Sequence, residues 1–327
     1  MVKNKIIQNI HLAFEEDLNL VNQAILSALA SKEELVEKVS AYLIKAGGKR
    51  IRPLMTLITS KVCGNNQNQN HIYLAAAVEL IHAATLLHDD VIDESTTRRG
   101  KATANYEWGN KASILVGDYL FSQSFILMVK SGSMLALDSL SKASAIIAEG
   151  EVMQLAKLFE DKLVSQEEYE AIAGSKTAAL FSASCHVGAV IADAELSIQN
   201  ACRRFGMIVG LIFQVSDDLM DYFGDSNISG KKLGDDLASG NITIPVILAY
   251  DKASDSDKEK IKEIFFGNDR ESKFNEIKSI LEKYETEKLI SEYIENYMGE
   301  ARAQLSLIPD SPDKKYLEDI LEFSAFR

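Results

Sequence analysis

From Pro53 to Pro245 the chain runs without an intervening proline, and this stretch is dense in Ala, Leu, Ile, Met, Glu and Lys. Proline breaks helix interiors and most of those residues favour them, so long helices are permitted throughout. Apolar residues recur at i, i+3, i+4 and i+7 through most of the chain, and no sustained period-two alternation bounded by turn residues occurs. The expectation is an all-α protein with no sheet. Polar or Gly-rich clusters interrupt the pattern at residues 63–70, 95–103, 130–133, 160–166, 224–241, 252–258 and 307–314. They divide the chain into about ten or more helices. Most connections are short and no low-complexity linker occurs, so the reading is a single bundle-like domain, residues 1–327.

Two aspartate clusters, DDVID at Asp89–Asp93 and DDLMD at Asp217–Asp221, share one spacing and end mostly apolar runs, HAATLLH and GLIFQVS. On a helix turning ~100° per residue, Asp89, Asp90 and Asp93 point one way, as do Asp217, Asp218 and Asp221. One such cluster alone reads as a solvated helix face. Two in apolar surroundings do not. Crowded, half-buried carboxylates repel and lose hydration, which a fold tolerates when something bound neutralises them. Oxygen donors without a nearby Cys or His pair point to Mg²⁺. The recurrence looks like a faint internal repeat that sets two helices opposite each other, a known way to build a metal site in a helical core. The segment 224–241, with Lys231, Lys232, Asp235 and Asp236, directly follows the second cluster. It is a candidate flap over a site.

Around the clusters lie cations suited to an anion. GGKRIRP at residues 47–53 carries Lys49, Arg50 and Arg52 beside paired glycines, RRG follows the first cluster at residues 98–100, and Lys176 and Thr177 stand in GSKTAALF. Glycines let backbone N–H groups approach phosphate, Arg offers a forked donor and Lys a point charge. Arg50 and Lys232 read as ordinary surface cations. His82 lies seven residues before Asp89, within ~20° of the same helix face, whereas His88 is about 100° off it and reads as structural. A carboxylate-held metal facing two groups of cations is what two diphosphates require.

Acidic residues outnumber basic ones 48 to 35, a net charge of −13, which argues against nucleic acid as a partner. No run of ~18 apolar residues or secretory signal is seen, so the expected location is cytoplasmic. Peripheral membrane contact for product release is left open. Cys63, Cys185 and Cys202, with no CxxC, read as free thiols of a reducing compartment.

GGKRIRP, ELIHAATLLHDDVIDES, RRGKATAN, SKTAALF, FQVSDDLMDY and GKKLGDDLASGNITIP, in this order, closely resemble the trans-isoprenyl diphosphate synthases, in particular the bacterial long-chain members. The resemblance covers about residues 40–250 and implies the all-helical isoprenoid synthase fold, a single large bundle around a central cavity. It implies that Asp89, Asp90, Asp93, Asp217, Asp218 and Asp221 hold Mg²⁺, three ions per site. It further implies that Arg98, Lys176, Thr177, Gln214 and Lys231 bind the allylic diphosphate and that Lys49, Arg52, His82 and Arg99 bind isopentenyl diphosphate. The reaction implied is head-to-tail condensation on a primer such as farnesyl diphosphate, giving octaprenyl or similar diphosphate for quinone side chains, in a homodimer. Asp89, Asp90, Asp93, Lys176, Asp217 and Asp218 would be its catalytic residues.

Ala84 and Thr85 are small where short-chain relatives tend to carry an aromatic, which favours long product. Gly206 and Gly210 on the second Asp face are expected to leave room as well, and Phe121, Phe125 and Met128 are candidates for a tunnel floor. One departure stands out: Asn241 in SGNITIP replaces the family's usual Lys, and Lys232 is a candidate to compensate. Competing readings are a shorter-chain synthase, a terpene cyclase or head-to-head condensing enzyme, and a non-catalytic partner subunit.

Overall fold

The computed structural model describes residues 2–45, 48–64, 69–98, 100–160, 162–224, 233–267 and 269–325. The chain opens with α1 (Val2–Ala13), α2 (Glu15–Leu29), α3 (Glu34–Lys45), α4 (Ile51–Val62) and α5 (Asn70–Ile92). A hairpin follows, β1 (Thr97–Arg98) and β2 (Lys101–Ala102), then α6 (Ala104–Trp108), α7 (Asn110–Lys130) and α8 (Met134–Leu158). Helix α9 (Gln166–Ala173) passes through a π-helical turn, Gly174–Ala178, into α10 (Ala179–Ile191), and α11 (Leu196–Phe223) comes next. The last elements are α12 (Asp235–Ser239), α13 (Ile244–Lys252), α14 (Asp255–Phe266), α15 (Phe274–Lys283), α16 (Thr286–Ser306) and α17 (Lys314–Ala325).

The fold class is all-α, as the periodicity predicts. The expectation of no sheet needs one correction: β1 and β2 pair antiparallel, Thr97 opposite Ala102 and Arg98 opposite Lys101. Two residues per strand are too few to show a period of two, and the turn is made by Gly100 at φ +72°. The prolines that bound the proline-free stretch both sit in first turns, Pro53 in α4 and Pro245 in α13, where the missing N–H has no helical partner to lose.

Helix α5 packs against α2, α4, α7 and α10, and α11 packs against α10, α16 and α17. Their apolar faces form the main core. A smaller core gathers Tyr222, Leu237, Val246, Ile261, Phe265 and Leu281 from the end of α11 and from α12–α15, and Ile242 packs against both. No unbroken run of ~18 apolar residues occurs, yet by length and mean hydropathy alone α5 and α7 are apolar enough to cross a bilayer. Glu79, His82 and Thr85 in α5, and Ser, Gly, Asp and Gln in α7, interrupt any unbroken apolar run without lowering the average much. The apolar window of α5 is 61% buried but that of α7 only 44%, so α7 keeps an outward apolar face.

Gly206 and Gly210 do not leave room for a tunnel. A Cβ on Gly206 would meet the Phe181 carbonyl oxygen at 2.5 Å, and one on Gly210 the Ala178 Cα at 2.5 Å. These glycines let α11 lie directly against α10 and the π-turn. Gly206→Ala is expected to destabilise the fold by about 2–3 kcal/mol in denaturant unfolding, because backbone must move. Unchanged stability would show that the two helices can separate freely.

Candidate active site

Both aspartate clusters lie in the last turns of their helices, α5 ending at Ile92 and α11 at Phe223. Carboxylates there face the negative end of the helix dipole, which adds to the cost of crowding them. The two helix ends border one cavity of about 1370 Å³, lined by Asp89, Asp90, Asp93, Asp217, Asp218 and Asp221. Lys49, Arg52, His82, Arg98, Lys176, Thr177 and Gln214 line it too. The structure thus brings together every predicted diphosphate-binding and metal-holding residue except Arg99 and Lys231, which, with Lys232, lie outside the described residues.

The clusters are alike in sequence but differ in surroundings. Asp89 is pushed up to about 7 by burial first and by the nearby Glu151 and Asp93, against the pull of Lys176 and Arg98. Asp90 is buried; its Oδ1 accepts from Arg98 Nε at 2.8 Å and its carbonyl from Asn105 Nδ2 at 3.0 Å. Burial raises its carboxyl and Arg98 opposes that. Asp93 caps the helix and is exposed.

In the second cluster Asp218 is 2% exposed. Tyr169 donates its hydroxyl to Oδ2 at 2.6 Å, and Gln214 donates Nε2 to Oδ1 at 2.7 Å. Thr177 in turn donates to Gln214 Oε1 at 2.7 Å. Burial, reinforced by Asp217 and Asp221, pushes Asp218 up to about 7 despite those two donors. Burial also holds the Tyr169 phenol protonated, so it stays a donor. Asp221 accepts the backbone N–H groups of Asp235 at 3.2 Å and Asp236 at 3.1 Å. It thereby fastens α12 over the site, and the segment 224–241, expected as a flap, is partly helical.

Lys176 and Thr177 sit in the π-turn, and the widened turn presents both consecutive residues to the cavity. The Lys176 ammonium donates to Gln154 Oε1 at 2.7 Å and pairs with Glu151 Oε2 at 2.8 Å. On the other side, Lys49 Nζ lies 4.5 Å from the Phe323 ring centre, and Arg52 lies 4.4 Å from that of Phe181. His11 on α1 lies within hydrogen-bond distance of the Lys49 carbonyl, Nε2 to oxygen 2.9 Å. Arg50 is not the surface cation expected of it. It adopts φ +50° ahead of α4 and forms a half-buried ion pair with Glu79 on α5, which fixes the basic loop to the helix bearing the first cluster.

Of the chain-length candidates, Thr85 borders the cavity and donates its hydroxyl to the His82 carbonyl at 2.9 Å. Ala84 and Met128 are buried in the core, and Phe125 stacks edge-on against Phe121 with ring centres 5.1 Å apart; none of the three is among the cavity-lining residues. His88 points to α7, its Nε2 3.2 Å from the Ile114 carbonyl. Sequence reasoning missed Tyr169, Glu151 and Gln154. Tyr169 stands seven residues before Lys176, and Glu151 and Gln154 are three apart on α8, spacings that could have flagged each as sharing a face with the other.

A helical bundle with paired aspartate clusters and cations around one cavity is the architecture of a prenyltransferase that handles diphosphates. The Polyprenyl synthetase family model matches residues 33–284, and the chain belongs to that family. Octaprenyl diphosphate synthase of Escherichia coli (strain K12) is 35% identical to it over 302 residues, 92% of this chain and 93% of that protein. The crystal structure of polyprenyl synthase from Caulobacter crescentus CB15, complexed with calcium and isoprenyl diphosphate, superposes with a TM-score of 0.93 at 37% identity, covering 98% of both chains. A decaprenyl diphosphate synthase from Rhodobacter capsulatus superposes with a TM-score of 0.91 at 38% identity, also over 98% of both.

Proposed function

We propose that this protein is a long-chain trans-polyprenyl diphosphate synthase, which condenses isopentenyl diphosphate head to tail onto an allylic diphosphate primer such as farnesyl diphosphate. The observation that carries the reading is one cavity bordered by both aspartate-bearing helix ends and by two separate groups of cations. Arg98, Lys176, Thr177 and Gln214 take the allylic diphosphate beside the carboxylates, with Lys231 assigned by resemblance alone. Lys49, Arg52 and His82 take isopentenyl diphosphate, with Arg99 assigned in the same way. The names of the relatives range from geranylgeranyl through heptaprenyl to octaprenyl and decaprenyl products, and octaprenyl is the length proposed here.

Mg²⁺ fits the residues present. All donors at the two helix ends are carboxylate oxygens, and their burial without full compensation leaves Asp89 at about 7. Among the described residues no three His, Cys, Asp or Glu side chains close into a cage, so the reading requires an ion that keeps waters and takes phosphate oxygens as further ligands. Asp89, Asp90, Asp93, Asp217, Asp218 and Asp221 would hold the ions, three per site. When bound, Mg²⁺ supplies the charge that stabilises the departing pyrophosphate.

The chain's own residues do the rest. Lys176 and Arg98 hold the allylic diphosphate so that its C–O bond can ionise, and their charge opposes the negative charge developing on the leaving group. Lys49 and Arg52 hold the second diphosphate so that the isopentenyl double bond reaches the allylic cation. Leu86, Phe181 and Phe213 add apolar surface to the cavity wall and keep water from quenching that cation. The proton lost at the end goes to the released pyrophosphate, so no protein base is required.

Thr85→Phe is expected to shorten the product, since an aromatic ring would fill space that Thr85 leaves in the cavity wall. Product-length analysis checks this, and an unchanged length would remove Thr85 from the tunnel. The chain is read as one all-helical unit, supported by Ile242, which packs against both cores. It is read as a cytoplasmic homodimer serving quinone side chains, with peripheral membrane contact at product release. The dimer is supported by the outward apolar side chains of α7 and α8, among them Leu115, Val129 and Met134.

The test is incubation of purified protein with farnesyl diphosphate, labelled isopentenyl diphosphate and Mg²⁺, followed by sizing of the dephosphorylated products. A dominant octaprenyl band is expected. A geranylgeranyl band would keep the chemistry and overturn the length, and no elongation by an intact dimer would overturn the reading.

A further inference from the structure

Asn241 occupies a corner of the cavity where the resemblance leads one to expect a cation. It sits between α12 and α13 with its backbone N–H bonded to the Asp236 carbonyl at 2.8 Å. Its Oδ1 accepts from Gln154 Nε2 at 3.1 Å, and the other end of the same Gln154 amide, Oε1, accepts from Lys176 Nζ at 2.7 Å. Side chains from three separate segments are thereby joined in one line. Gly150, one turn earlier on α8, permits the close approach: a Cβ there would meet Ser175 Cβ at 2.7 Å and Lys176 N at 3.0 Å. The helix carrying Gln154 is pressed directly onto the π-turn carrying Lys176.

The direction of the line is fixed by chemistry. An ammonium group only donates hydrogen bonds, so Lys176 requires the carbonyl end of the Gln154 amide. That leaves the NH₂ end facing residue 241, which must supply an acceptor. Asparagine does so through Oδ1, whereas a lysine there would set donor against donor. Glu151 pairs with the same ammonium at 2.8 Å and, without the Gln154 contact, would draw Lys176 toward itself and Asp89.

We propose that Gln154 and Asn241 form an amide relay that positions the Lys176 ammonium for the allylic diphosphate, and that Asn241 is a positioning residue rather than a weakened phosphate ligand. The inference rests on Lys176 binding the allylic substrate. It accounts for the uncharged residue at position 241 without calling on Lys232 to compensate.

Steady-state kinetics of the full-length enzyme with each substrate varied in turn would test it. Gln154→Ala and Asn241→Ala should each raise the KM for the allylic diphosphate about fivefold to tenfold and leave the KM for isopentenyl diphosphate and the unfolding temperature unchanged. The double variant should be no worse than Gln154→Ala alone, and Asn241→Ala should have no further effect in a Lys176→Ala background. Asn241→Asp, which keeps the acceptor, should preserve more of the allylic affinity than Asn241→Ala. Additive effects, or an Asn241→Ala defect that persists without Lys176, would overturn the relay. If Lys176→Ala instead raised the KM for isopentenyl diphosphate, the assignment of Lys176 would fail, and that result is distinguishable because it does not depend on residues 154 and 241.

Discussion

Asp89→Asn is expected to lower turnover by about a thousandfold or more while leaving the fold intact. The side chain keeps its size and loses only its charge, so packing on α5 is undisturbed. The loss falls where the reaction needs it most, because charge stabilisation at a departing diphosphate is often worth ~4 kcal/mol or more from a single site. Asp89 is also closely surrounded, with Glu151 and Asp93 on one side of its balance and Lys176 and Arg98 on the other. Single-turnover measurements with a preformed allylic primer would isolate the chemical step. A variant retaining more than about a tenth of wild-type turnover would show that the first cluster does not carry the ionisation.

Mg²⁺ should stabilise the protein strongly at pH 8 and scarcely at all near pH 4.5. In the unfolded chain an aspartate ionises above about 3.8, whereas Asp89 in the folded protein keeps its proton until about 7. Between those values the folded state binds the extra proton, so metal-free stability falls as pH rises and levels off above about pH 7. At roughly 1.4 kcal/mol per tenfold change in proton affinity, Asp89 alone accounts for about 4 kcal/mol. Asp218, also near 7, acts in the same direction. A bound divalent cation offsets this cost by favouring the ionised form. For a chain of this length the difference corresponds to an unfolding temperature about 5 °C or more higher with Mg²⁺ than with chelator at pH 8. Equal stabilisation at both pH values would mean that the ion does not meet these carboxylates.

The long helices and the two acidic helix ends were legible because each follows from periodicity over many residues. Asp89, Asp217 and Lys176 were legible because charge in an apolar stretch is conspicuous. What stayed hidden depends on tertiary distance. Glu94, Asp193 and Glu285 adopt positive φ next to helix ends without the glycine that usually marks such a place, so those boundaries give no signal. Gly206 and Gly210 looked like open space because a missing side chain reads the same whether the gap is empty or filled by a neighbouring backbone. Arg50 looked like a surface cation because Glu79 is distant in the chain, and Tyr169 gave no signal because its partner Asp218 lies 49 positions later.

The basic loop at Lys49 touches both outermost helices: His11 of α1 reaches its carbonyl, and Phe323 of α17 lies against its ammonium. Those two helices also pack on each other, and Phe14, just past the end of α1, sets its ring 5.5 Å from that of Tyr316 on α17. If Lys49 holds isopentenyl diphosphate as proposed, a change that disturbs either α1 or α17 would weaken that substrate and spare the allylic one.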